Sequence, residues 1–221
     1  VDGQHFVKLE DLVLGDAWTA SGAAWIGHAE SPFVYREENG DRLRVLGSVT
    51  TTNITAAYSF GRVRIGADVP IHRYTSGYQI ERPTHLGDAR VSAKGDIYGL
   101  DVGPGHLRLG AVADLVLPTG DPQAYVGSGR TWLRTAVVGQ WAWDKLHLAA
   151  NVGFRTGTGD TFGTLGVKPG LVWGLGGSYA ISSAFSAALE LDGDVWFGNG
   201  GEPGAVPIEW LTSGRYHLNE Q

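Results

Sequence analysis

Between Arg130 and Arg155 the chain alternates apolar and polar residues with a period of two through two arms, interrupted by Asp144-Lys145. In the first arm Leu133, Thr135, Val137, Gly139, Trp141 and Trp143 fall on one face, with Arg134 and Gln140 on the other. In the second, Leu146, Leu148, Ala150, Val152 and Phe154 share a face opposite His147, Asn151 and Arg155. Such alternation over about ten residues, with a tight turn between, predicts a β-hairpin. The residue types constrain it further. The apolar face ends in two tryptophans at the turn, and the opposite face carries full charges well inside the strands. A soluble sheet turns its apolar face inward and needs no aromatic belt at its strand ends. A barrel in lipid does the reverse, with apolar residues out, polar residues in and aromatics at the water boundary. The hairpin is of the second kind.

The pattern recurs along the chain and predicts about ten strands. Trp18 to His28 is a small-residue strand whose two faces the sequence does not assign, and Val45 to Phe60 is the second. The third sets Val63, Ile65, Ala67, Val69 and Ile71 against Arg64, Asp68 and His72, and the fourth sets Ala89, Val91 and Ala93 against Arg90, Lys94 and Asp96. The fifth opposes Leu107 to Leu117 with Arg108 and Asp114, and the hairpin above supplies two more. Leu171 to Ile181, Phe185 to Asp194 and Ile208 to His217 complete the set. Long connections at 29–42, 73–85, 118–129, 156–169 and up to Ala205 alternate with short ones at Gly61-Arg62, Gly103-Pro-Gly105, Asp144-Lys145 and Ser182-Ser183. Outer-membrane barrels have short periplasmic turns and longer external loops. The expectation is an all-β, antiparallel up-and-down transmembrane barrel over residues 17–221, of about ten strands or twelve in a longer parent, preceded by a periplasmic lead at 1–16.

Composition agrees. With 34 Gly among 221 residues but 43% hydrophobic content, the chain is too apolar and too regular for a Gly-rich disordered polymer. A mean hydropathy of −0.08 suits a spanning barrel, because only alternate strand residues meet lipid. No apolar run reaches the roughly 18 residues of a transmembrane helix. The net charge of −6 and the lack of a basic cluster exclude a nucleic-acid footprint. Zero Cys excludes a disulfide framework and thiolate metal sites. Zero Met means the sequence does not begin at an initiator, so either a removed signal peptide or a start further along the parent chain is expected.

The inward face defines the candidate site. It comprises the lumen-lining charged residues Arg62, Arg64, Asp68, His72, Arg90, Lys94, Asp96, Arg108, Asp114, Arg134, Glu190, Asp192, Glu209 and Arg215. Basic residues concentrate on strands three to six and acidic ones on nine and ten. In a narrow barrel such walls are close enough for long side chains to meet. Buried charges must be paired or wet, which leaves three uses open: an ion-pair plug, a water-filled path for small solutes, or a ligand site. The outward aromatics Tyr58, Phe60, Trp141, Trp143, Tyr179, Phe185 and Tyr216 lie at the short-turn ends and are expected to form a membrane-interface girdle.

Catalysis finds little support. His72 with Asp68, and His85 with Asp88, are near enough in sequence for dyads, but no Gly-x-Ser-x-Gly accompanies them. The oxygen-rich stretch Asp192 to Glu202 lacks EF-hand spacing, and Gly157 to Asp160 has neither the Lys nor the following helix of a phosphate loop. The remaining histidines do not cluster at metal-ligand spacing. The chain is expected to be no enzyme and to need no cofactor or metal.

Val1-Asp-Gly-Gln-His-Phe6 before the first strand, Leu117-Pro-Thr-Gly-Asp121 with Tyr125 and Gly127, Ala149-Ala-Asn-Val-Gly-Phe-Arg155, and Trp173-Gly-Leu-Gly176 carry a resemblance. Together they resemble the N-terminal barrel of OmpA-family outer-membrane proteins, and more closely its larger myxobacterial-type members than the eight-stranded enterobacterial barrel. The likeness covers most of the chain, though its motifs are short and structural, and nothing matches the family's C-terminal peptidoglycan-binding domain. It implies a protein of the Gram-negative outer membrane, a porin-like barrel that anchors the envelope or passes small polar solutes. The alternative is a scaffold barrel with a plugged lumen that binds surface or envelope partners through its external loops; an outer-membrane hydrolase ranks below both. The implied partners are the lipid bilayer and other envelope proteins.

Overall fold

A computed structural model of the chain describes residues 9–10, 12, 14, 16–36, 42–77, 83–124, 126–156, 161–162, 165–166, 169–197 and 208–216. The elements are β1 (Ala20–Arg36), β2 (Arg42–Phe60), β3 (Val63–Gly77), β4 (Thr84–Leu86), β5 (Ala89–Val102), β6 (Gly105–Leu117), a short 3-10 turn (Pro122–Ala124), β7 (Trp132–Trp143), β8 (Leu146–Arg155), β9 (Thr161–Phe162), β10 (Leu165–Gly166), β11 (Gly170–Ala180), β12 (Phe185–Trp196) and β13 (Ile208–Tyr216). Ten of these form one antiparallel up-and-down sheet in the order β1-β2-β3-β5-β6-β7-β8-β11-β12-β13, with the three-residue β4 added on β3 as an eleventh. The long strands match the ten predicted ones. No helix among the described residues is long and apolar enough to cross a membrane, which bears only on helices.

Hydrogen-bonded ladders hold every consecutive pair along this path, and the β6–β7–β8–β11–β12 stretch runs without a register shift. An antiparallel ladder is satisfied by its neighbours whatever the side chains are, so the choice of which face turns inward falls to the side chains. The 144–145 turn is tight enough that Asp144 adopts a φ of 48°, a conformation in which Asp is tolerated better than most residues. At β5 a bulge inserts Ile97 between Asp96, opposite Gly110, and Tyr98, opposite Leu109, so two successive large side chains are exposed.

Two predicted loops are strand in part. The stretch 29–42 was expected to be loop, but β1 runs on to Arg36 and β2 begins at Arg42, paired through Tyr35–Leu43 and Arg36–Arg42. Likewise β3 continues to Gly77 where a loop from 73 was expected. The cause is physical. Beyond Ile26 and Ile54 the outward side chains become polar, and His28 bonds Thr50 Oγ1 at 3.0 Å and Glu30 at 2.9 Å. From Ala24 to Glu30 both faces meet water and alternation loses its meaning, but the backbone ladder persists beyond.

Burial divides the sheet into two unlike faces. The outward one exposes large apolar side chains strand after strand, among them Ile54, Phe60, Ile65, Val91, Leu115, Val137, Val152, Leu175 and Leu189. The other buries Ser59, Lys94, Asp114, Gln140, Ser178 and Glu190 beside Val112, Val138 and Ala149. Leu9, Glu10, Leu12 and Leu14 lie against the buried face and touch strands from β12 to β2. Five residue steps reach at most about 18 Å. A flat sheet would put β2 and β12 seven strand spacings apart, about 34 Å. Side chains stand off the sheet and add little in its plane, so the wall curls around this segment. Among the described residues no ladder joins β1 to β13.

Candidate functional site

The concave face carries a chain of ion pairs. Arg134 on β7 donates to Asp114 on β6 through Nε at 2.7 Å and pairs with Glu10 through Nη2 at 2.8 Å. Lys94 on β5 stands 4.0 Å from the other oxygen of Glu10. Arg108 grips Asp96 with Nε and Nη2 at 3.1 and 2.7 Å, and Arg155 holds Asp194 at 2.8 Å. Asp68 faces Arg90 directly across the β3–β5 ladder. Most of these pairs join neighbouring strands or the segment lying on them, because inward positions alternate in phase across an antiparallel ladder, while Arg155 on β8 reaches past β11 to Asp194 on β12. The pairs run mostly as short links along the wall, within strands β3 to β7 and from β8 to β12.

The segment 9–14 is the part that strand periodicity did not reveal. Leu12 is wholly buried among Val112, Ala136 and Val138, and its amide donates to Gln140 Oε1 at 2.9 Å. Leu9 packs on Ala149, with Ala188 beside it, and its amide donates to Glu190 Oε2 at 2.8 Å. The Leu14 carbonyl accepts from Ser59 Oγ and from Arg64 Nη1, the latter at 2.9 Å, while Arg64 Nη2 reaches Ser21 Oγ at 2.5 Å. Residues 1–16 were expected to form a lead on the periplasmic side. Their described members at 9, 10, 12 and 14 lie instead on the inner wall. The chain then turns out of the interior at Trp18, whose φ is 63°, and enters β1.

The other predicted residues take varied places. Glu190, nearly inaccessible, and half-buried Asp192 lie inward on β12, and Arg215 is half-buried on β13. His72 is half-buried, with Nδ1 2.9 Å from Thr51 Oγ1. Two placements need correction. Arg62 is exposed, since it occupies the β2–β3 turn rather than a strand face, and Glu209 is exposed because β13 has no further strand laddered on its far side among the described residues. Conversely Glu10, Gln140 and Arg155 belong to the interior network. Arg155 was legible from its face in the hairpin, whereas Glu10 lies outside any strand.

All seven predicted girdle residues sit at the short-turn ends. Tyr58 and Phe60 stack edge-on at 4.6 Å, and Trp141 and Trp143 lie 6.1 Å apart. Leu146 pairs with both Trp143 and Tyr179, and Phe185 pairs with Tyr216, so the ladders carry the row around the wall. Trp18, 6.1 Å from Phe60, extends it.

At the opposite end, Asp88 is committed to the 118–131 connection. It accepts from the amides of Gly120 (2.9 Å) and Ser128 (2.6 Å) and from Ser128 Oγ (2.5 Å). His85 accordingly faces Asp121 at 3.6 Å, not Asp88. Tyr74 donates to the Ala124 carbonyl at 2.8 Å and closes this corner. No group of three His, Asp or Glu side chains among the described residues is placed to hold a metal ion. Asp192 and Asp194 of the oxygen-rich stretch lie in β12, while 198–207, like the glycine-rich 157–160, fall outside the described residues. No protein-family model matches the chain, and no curated protein matches its sequence.

Proposed function

We propose that the protein is an integral β-barrel of the Gram-negative outer membrane, OmpA-like in build, with a structural, envelope-anchoring role and a lumen closed at rest. One observation carries this reading: the exposed face of the sheet is apolar and the enclosed face ionic. On β3 the outward apolar residues run from Val63 to Ile71, and on β8 from Leu146 to Phe154. Each run approaches the roughly 9–11 residues a tilted strand needs to cross a bilayer, and the apolar band of such barrels is about 25 Å tall. The aromatic row at one edge and the polar His28–Thr50–Glu30 cluster at the other bound the belt as two water interfaces would. In water this surface would be an aggregation hazard; in lipid it is the favourable one.

Ion pairs and the 9–14 segment occupy the interior, which favours anchoring over free passage of solutes. The tied 118–131 connection supports a second reading in which the loop end binds an envelope partner, since Asp88 and Tyr74 hold that surface in one shape. Refolding into lipid vesicles tests the main proposal. The expected outcome is β-rich, protease-resistant protein whose unheated gel mobility differs from the boiled form, with little conductance across planar bilayers. A detergent-free, soluble monomer with its tryptophans shielded from water would overturn it.

A further inference from the structure

We propose that the inner wall of this barrel is a binding site for an acidic, leucine-bearing peptide, filled in the resting protein by the chain's own Leu9, Glu10, Leu12 and Leu14; the proposal rests on the barrel reading above. The wall recognises the segment as peptide receptors do, through its main chain and through side-chain contacts, here at Leu9, Glu10 and Leu12. Two main-chain donors are met by wall side chains, Leu9 N by Glu190 and Leu12 N by Gln140, and the Leu14 carbonyl is met by Ser59 and Arg64. These partners come from four strands, and neither backbone ladders nor wall-to-wall pairs supply them.

Specificity lies between those contacts. Glu10 enters a cationic socket formed by Arg134 and Lys94, which fits a carboxylate and would reject a lysine. The two inner leucines have cavities made by absent side chains. A Cβ on Gly174 would stand 2.5 Å from Leu9 Cδ1, and one on Gly110 would collide with the Gly95 carbonyl of the neighbouring strand as well as with Leu12 Cδ2. The wall is thus shaped for leucine at the first and fourth positions and an acid at the second. Removing the segment would leave Glu190 and Gln140 without these amide partners in a buried setting, so the empty site favours a replacement of the same chemistry. A second polypeptide presenting such a sequence competes for the site, which makes the lumen a receptor as well as a plug.

The test uses the full chain refolded in vesicles and a fluorescent peptide spanning Val7 to Gly15. Wild type should exclude the peptide, because the tethered copy holds the site at high effective concentration. Leu12→Asp should eject the tethered copy and capture the wild-type peptide, discriminating at least about tenfold against a peptide carrying the same Leu12→Asp change or a Glu10→Lys change. Glu10→Gln, which keeps the segment's shape, should raise capture over wild type by about tenfold through loss of one charge-assisted contact. If Leu12→Asp inserts and binds no peptide, or if all chains bind scrambled and native peptides alike, the site does not exist. Should Leu12→Asp fail to insert, Glu10→Gln decides alone: increased capture upholds the site, and wild-type exclusion overturns it. Failure of the wild-type chain to insert sinks the barrel reading instead, which the gel-mobility shift reports separately.

Discussion

The central wall, β6 through β8, and the flanking strands β1 and β13 are made from the same alternating code yet stand in different surroundings. Each central strand is laddered on both edges and covered inside, β6 and β7 by Leu12 and β8 by Leu9, so inward residues such as Val112, Val138 and Ala149 are buried. In β1 the residues from Ala24 to Glu30 are exposed on both faces, and in β13 Trp210 is 72% exposed against 57% for Val137 in β7. The comparison teaches that the pattern of a strand states which way its side chains want to face, while neighbours decide how firmly they do so.

Hydrogen exchange in vesicles should give the widest separation. Amides of β7 should exchange more slowly than those of β13 by roughly two orders of magnitude or more, since local opening of an unpaired edge costs little. Equal protection would erase the comparison and place β1 and β13 in a closing ladder once lipid surrounds them. A side-chain change inside the central wall comes next. Asp114→Ala leaves Arg134 with Glu10 but strips its main partner, and should cost about 3 kcal/mol in urea unfolding from vesicles, toward the lower end for a broken buried pair. On the outer face of the same wall, Val137→Arg should cost about 2–4 kcal/mol, as a cation near the middle of the lipid band does. The same substitution at Ile26, one step inside the polar boundary marked by His28 and Thr50, should cost no more than about 1 kcal/mol. If the two arginine variants unfold together, the belt does not end where the outward residues turn polar.

Much of this could be read before any coordinates. The ten strands, their short turns and the inward position of Arg134 followed from a two-residue period that has one meaning wherever one face is apolar. The outer ends of β1 and β2 were hidden because the charges of 29–42 and its Ser31-Pro32 and Asn39-Gly40 pairs read as loop signals, while the backbone ladder continues to the Arg36–Arg42 pair. Arg62 was misplaced because a turn residue adjoining Arg64 shares its parity by spacing without sharing its wall. Glu10 escaped because Leu9, Leu12 and Leu14 in an irregular segment look like a short apolar patch, and only the folded wall reveals the Arg134–Lys94 socket awaiting the acid between them.

Leu9 rests on Glu190, and 181 positions of chain separate the two. Contacts between such remote partners raise the contact order and slow the search for the native state. The earliest docked residue must therefore wait for nearly the latest strand to be made. The contact that seats Leu9 is thus completed only when β12 has taken its place beside β11, after most of the wall has formed.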